Sequence, residues 1–247
     1  MKIGQGCFHT DRPLPKMIGK EMKQMIGMMV FICGLAVFPF YAHAVEEYPL
    51  DLATLEKGEL QIFTEEFKVE GEGKKKRVAG VILINRPPQE VWAVIKNWDA
   101  MGQFVPGLDY YKTLHVITPI DDRNQGETVI EGKLDVPLIS VTYTVAVTFR
   151  TAEKNRIEWR LIDKREIAEL RIRNIQVKDH TAGLKNIEGF GYLEPYDNGS
   201  KTIYTYAPVV EISIPVPAFV ERSISKSSLK GYLKAVKARV ESKKQNP

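Results

Sequence analysis

Few side chains of this 247-residue chain bear chemistry, and they are scattered. The four histidines are His9, His43, His115 and His180, and none stands at metal-ligand spacing from another His or from a Cys. A zinc site is therefore not expected. There is no G-x-S-x-G elbow, no P-loop and no G-x-G-x-x-G after a strand, which removes the common nucleophile and phosphate cradles. Glu131, Glu188 and Tyr143 remain as candidates for general acid or base work, each inside a strand-like segment. Such a group becomes a catalyst when it is buried with a displaced pKa, and solvent-exposed strand carboxylates are far commoner. No catalytic residue, metal or cofactor is assigned.

The elements that would position these groups begin after an apolar leader. Lys16, Lys20 and Lys23 precede the run Met25 to Phe40, and Ala42-His43-Ala44 follows it. This is the layout of a secretory signal peptide, so residues 1–44 are expected to be removed after Ala44 and the protein to be periplasmic. The alternative is an uncleaved anchor, although the run is shorter than the ~20 residues that cross a bilayer. Translation from Met17 or Met22 is also compatible with the pattern. Both cysteines, Cys7 and Cys33, lie in the leader, so the mature chain has no disulfide. Without 1–44 it carries 30 Lys/Arg and 29 Asp/Glu, a net charge of +1, and no basic field to draw nucleic acid.

Residues 45–247 contain no repeat and no linker, and read as one domain, expected to be a monomer. Gln61 to Val69 alternates weakly as an edge strand, Gly71 to Arg77 is a charged turn, and Arg77 to Asn85 is the first core strand. Pro87-Pro88 opens a helix over Gln89 to Asn97, and a second short helix covers Asp99 to Phe104, ending at Pro106-Gly107. Strands follow at Tyr110 to Thr118, Glu127 to Val136, Ile139 to Thr151 and Arg156 to Asp163, then at Asn186 to Tyr196 and Lys201 to Val210. The last pair flanks Asp197-Asn198-Gly199-Ser200, a hairpin signal. Residues 164–183 fit either a twisted strand pair or a helical insertion, and their Arg165, Arg171, Arg173 and Lys178 read as surface charges.

The strand from Ile139 has the cleanest period of two: Ile139, Val141, Tyr143, Val145, Val147 and Phe149 point one way. Ile157, Trp159 and Leu161 repeat it in the next strand. One long helix closes the chain from about 217 to 242. Leu229, Leu233, Val236 and Val240 form its apolar stripe, and Val220, Ile224, Ser227, Gly231, Ala235 and Ala238 form a stripe of smaller residues. That second stripe suits either close packing on a sheet or room for a ligand. The order of elements predicts an α+β helix-grip fold: a curved antiparallel sheet around a long C-terminal helix, with two short helices after the first core strand.

From Gly58 to Glu241 the chain resembles the START-like SRPBCC superfamily, its polyketide-cyclase/dehydrase and coenzyme-Q-binding branch in particular. The resemblance is carried by Arg86-Pro87-Pro88-Gln89-Glu90-Val91-Trp92, Trp98-Asp99-Ala100-Met101 through Phe104-Val105-Pro106, Glu188-Gly189 with Leu193-Glu194-Pro195, Thr202 to Tyr206, and Pro215-Val216-Pro217. Gly191 stands where relatives often carry a Trp. The resemblance implies an apolar cavity between sheet and helix, in a family whose members bind lipids, quinones, sterols or polyketides and only some of which are enzymes.

The expected function is therefore the binding or transport of a hydrophobic small molecule, with a cyclase/dehydratase acting on an apolar substrate as the alternative. The expected lining is Trp98, Phe104, Val141, Tyr143, Val145, Trp159, Tyr204, Tyr206, Ile224 and Gly231. A third reading fills the interior with the protein's own Trp159, Phe190, Tyr192, Tyr204 and Tyr206. Ligand entry, with transient membrane contact, is expected where Met101, Phe104, Val105, Pro106 and Leu108 face Phe219, Val220 and Ile224.

Overall fold

The computed structural model describes residues 48–69, 73–121, 125–136, 139–150, 155–213 and 218–242, the side chains at 68, 69, 136, 139 and 218–225 excepted. The expected leader and its cleavage point lie outside the described residues.

Eight strands form one antiparallel sheet: β1 (Gln61–Val69), β2 (Gly73–Ile84), β3 (Leu108–Thr118), β4 (Gly126–Val136), β5 (Ile139–Arg150), β6 (Asn155–Leu161), β7 (Leu184–Tyr196) and β8 (Lys201–Ile212). Their spatial order is β1-β2-β8-β7-β6-β5-β4-β3, so β1 and β3 are the edges. The helices are α1 (Leu52–Glu56), α2 (Pro88–Ile95), a 3₁₀ turn (Trp98–Gln103), α3 (Lys164–Ile172) and α4 (Ala218–Glu241). This is the expected α+β helix-grip arrangement.

Local chemistry explains the boundaries. Pro88 occupies the first turn of α2, where its missing N–H has no helical partner to lose. The turn after β7 has Asp197, Asn198 and Gly199 all at positive φ, a conformation that Asp, Asn and Gly tolerate best. Residues 164–183 resolve into α3 and a loop. Asp163 caps α3 by accepting from Glu166 N, while the Glu166 side chain returns to Asp163 N, which is a capping box. The charged segment expected as a turn is instead partly strand, since Lys75, Lys76 and Arg77 belong to β2. Alternation at the end of a strand is hard to see when its residues are all basic.

The two faces of the sheet are covered differently. On one face α2, the 3₁₀ turn and α4 enclose the main core, which contains Ile82, Ile84, Trp92, Met101, Val145, Phe149, Tyr204 and Leu233. On the other, α3 and its loop cover Val129 and Ala146, and the chain around Leu55 covers Val81, Leu83 and Ile203. The C-terminal end of α4 is fastened to β2. Lys237 Nζ donates to Leu83 O at 2.7 Å, and Asn85 N donates to Glu241 Oε1 at 2.8 Å.

Candidate functional site: the aromatic face beneath the C-terminal helix

Strand register decides which side chains face α4. Phe149, Ile157, Gly191, Tyr206 and Gly80 form one row across β5, β6, β7, β8 and β2, and Val147, Trp159, Gly189 and Pro208 form the next. Gly132 and Tyr143 pair one residue along from Glu131 and Thr144, and successive residues of a strand point to opposite faces. On this inner face the described positions of β4 to β8 carry no charged side chain.

Aromatic rings lie down over glycines. A Cβ at Gly132 would come within 2.6 Å of the Tyr111 ring and 2.9 Å of the Tyr143 ring. A Cβ at Gly189 would run into the Trp159 ring and stand 2.6 Å from the Ala207 carbonyl oxygen. The rings then contact one another. Trp159 stacks on Tyr206 (5.1 Å between centroids), Tyr206 on Tyr232 (4.2 Å), and Trp98 stands edge-on to Tyr111 (5.9 Å).

The hydroxyls pair within the same surface. Tyr143 donates to Tyr111 at 2.9 Å, and Tyr204 and Tyr232 share a hydrogen bond of 3.1 Å. Burial raises the pKa of Tyr111, and raises those of Tyr143, Tyr204, Tyr206 and Tyr232 well above the ordinary phenol value. These phenols stay neutral across the physiological range, as donors and acceptors without charge.

The expected lining residues can be placed one by one. Val141, Tyr143, Val145 and Tyr204 are buried on the inner face. Trp98, Phe104, Trp159 and Tyr206 are partly accessible there and pack against the same core. Gly231 does not face the sheet: at about 100° per residue it stands nearly opposite the buried Leu229, Leu233 and Val236, and among the described residues only Pro106 Cγ, at 3.8 Å, lies near an added Cβ. The side chain of Ile224 lies outside the described residues.

Some expectations are corrected. Glu131 and Glu188 cannot reach the interior, because the register puts Glu131 beside Thr144 and Glu188 beside Arg160 and Val209 on the outer face. Phe190 and Tyr192 also point outward, packing with Ala79 and Ala207, so they cannot fill the inner space. Of the expected entry patch, Met101, Val105 and Leu108 are buried core, and Phe104 lies under the Arg239 guanidinium at 5.7 Å. The side chains of Phe219 and Val220, which were to oppose them, lie outside the described residues.

Two contributors were missed. Tyr111 follows a register shift between Leu108 and Tyr110, so alternation could not say which of the tandem tyrosines faces in. Tyr232 did carry a signal, standing three residues after Leu229 and four before Val236.

A separate cleft of about 830 Å³ opens on the outer side, lined among others by Tyr110, Lys112, Glu131, Ile175, Val177 and Lys178. Its floor is a closed polar knot. The buried Glu131 carboxylate accepts from Tyr110 Oη at 2.8 Å and from Lys178 N at 3.2 Å, and Lys178 Nζ stands 3.1 Å away. Burial pushes the Glu131 carboxyl up, but the bonds from Tyr110 and Lys178 outweigh it and hold the carboxyl below its ordinary value. The knot pins the 173–183 loop, in the one segment where the sequence pattern was ambiguous.

Among the described residues no group of His, Cys, Asp or Glu could hold a metal ion, and no helix is long and apolar enough to cross a membrane. No protein-family model and no curated protein matches the sequence. Solved structures do match. A STAR-related lipid transfer protein from Xanthomonas axonopodis aligns over 73% of this chain and 93% of its own, at 16% identity and a TM-score of 0.52. A START superfamily protein from Mycobacterium smegmatis aligns over 67% and 97%, at 16% identity and a TM-score of 0.50. An aromatase/cyclase from a Streptomyces species aligns over 73% and 94%, at 12% identity and a TM-score of 0.49.

Proposed function

Starting from a START-type helix-grip fold, we propose that this protein binds and carries a hydrophobic small molecule between its sheet and α4, without transforming it. One observation carries the reading: the described inner-face positions of β4 to β8 carry no charged side chain, and Trp98, Trp159 and Tyr206 remain partly accessible beside fully buried neighbours. Water gains little from such a surface, whereas an apolar chain gains about 0.8 kcal/mol per buried CH₂. The lipid-transfer name of the Xanthomonas structure agrees in kind with this reading. Action on the ligand would need a titratable group within reach. The two carboxylates considered for that role face outward, and the phenols that face inward are held neutral. Export to the periplasm belongs to the same proposal, resting on the pattern of residues 16–44.

Native mass spectrometry of the protein purified from its own host tests the binding. An apolar adduct that is released by organic extraction, and that restores displacement of a bound naphthylamine dye, is expected. A ligand-free spectrum together with failure of any apolar probe to compete with the dye would remove the proposal.

A further inference from the structure

Resting on that reading, we infer that the ligand is a neutral molecule bearing at least one carbonyl-type hydrogen-bond acceptor, and that Tyr206, Tyr111 and the Tyr204–Tyr232 pair donate to it. The inference comes from counting hydrogens. Five phenols face the interior, each with one O–H. The Tyr143–Tyr111 bond uses one hydrogen and leaves the other, and the Tyr204–Tyr232 bond does the same. Tyr206 Oη makes no hydrogen bond among the described residues, although its ring is held between Trp159 and Tyr232. The buried indole N–H of Trp92, a donor only, is also without a partner.

The rings adjoin one another: Tyr111 stands edge-on to Tyr143 at 6.3 Å between centroids, and Tyr204, Tyr206 and Tyr232 lie 4.2 to 6.4 Å apart. Three phenolic hydrogens and one indole hydrogen thus remain, and the described inner-face positions of β4 to β8 carry no carboxylate to receive them. Only the Trp92 N–H is fully buried without a partner, which is unfavourable until an acceptor arrives, while the Tyr206 hydroxyl belongs to a partly accessible side chain that an arriving ligand can reach. An ester, ketone or quinone oxygen supplies that acceptor and brings no competing donor. A carboxylate or an ammonium would have to leave water for a surface with no counter-charge, so both are disfavoured. The ester of an acyl lipid and the ketone of a ring or chain share this chemistry.

The test uses straight-chain probes of matched length: 2-dodecanone, methyl undecanoate, dodecane and dodecanoate, each competing with the dye on the mature protein. Tyr206→Phe removes a hydroxyl that bonds nothing else among the described residues, so its melting temperature should equal the parent's; Tyr111→Phe is the second variant. Each should weaken 2-dodecanone by about three- to tenfold, the worth of one hydrogen bond, and leave dodecane unchanged. The carbonyl stretch of ¹³C-labelled ketone should lie below its position in hexane when bound to the parent and move back in the variants. Whichever of ketone and ester is the stronger competitor identifies the source. A bound carbonyl stretch at the hexane position, equal losses for dodecane and ketone, or tighter binding of dodecanoate would overturn the inference while leaving apolar binding intact. Failure of all four probes would instead remove the binding proposal itself.

Discussion

Gly80 of β2 lies directly beneath Leu233 of α4, so that a Cβ on Gly80 would stand 2.5 Å from Leu233 Cδ1 and 3.2 Å from Leu229 Cγ. The close approach of helix and sheet is thus made by a glycine in the strand. Gly231 of the helix takes no part in it, since among the described residues only Pro106 stands near its missing Cβ.

The two glycines should respond oppositely to alanine. Leu233 is fully buried and cannot swing aside, so Gly80→Ala should destabilise the protein by about 1–3 kcal/mol through overpacking. Gly231→Ala places a methyl in open space within a helix and should stabilise by about 0.5–1 kcal/mol. Urea melts of both variants read the difference.

Gly189→Ala should be the most damaging of the glycine changes. Its methyl meets the Ala207 backbone as well as the Trp159 ring, and a backbone atom in a central ladder cannot yield. A loss of at least about 2 kcal/mol is expected, with a change in Trp159 fluorescence.

The loop over the outer face should loosen in acid in two stages. Burial, opposed by the charge of Asp179, holds the His180 imidazole below its ordinary value, so the unfolded chain takes up that proton first and stability declines as pH falls from about 6.5. The Glu131 carboxyl is also lowered. Its contribution is present above the ordinary carboxylate value near 4.3 and is lost as pH falls through the folded one. Amide exchange of residues 174–182, corrected for intrinsic rates, should accelerate in both ranges, and Glu131→Gln should abolish the lower one. A flat profile would mean that the knot does not hold the loop.

If the proposed export holds, the protein should begin at Val45, which intact-mass measurement of the periplasmic fraction reads directly. A mass retaining residues 25–40 would favour the anchored alternative.

Strand alternation revealed most of this architecture, because the outer positions of β5 and β6 stay polar or small (Thr142, Thr144, Ala146, Thr148, Glu158, Arg160) even where they are buried, and the period of two survives in Val141 to Phe149 and in Ile157 to Leu161. Glu131 and Phe190 were misplaced for one physical reason. The outer face is also covered, by α3, its loop and the chain around Tyr48, so residues on both faces of β4 and β7 are buried and hydrophobicity no longer tells the sides apart. The tyrosine hydroxyl pairs were invisible because they join β3 to β5 and β8 to α4 across three dimensions.

The neighbours of β2 set a timetable for the nascent chain. Its partner on the interior side is β8, with Gly80 against Tyr206 and Ile84 against Thr202, so the first hairpin made must wait for nearly the last strand before the sheet can join. Closing so long a loop is slow compared with local pairing. A ribosome that has not yet released residue 212 therefore carries no finished sheet. A chain engaged by a secretion channel during that interval needs no unfolding step before it is threaded through.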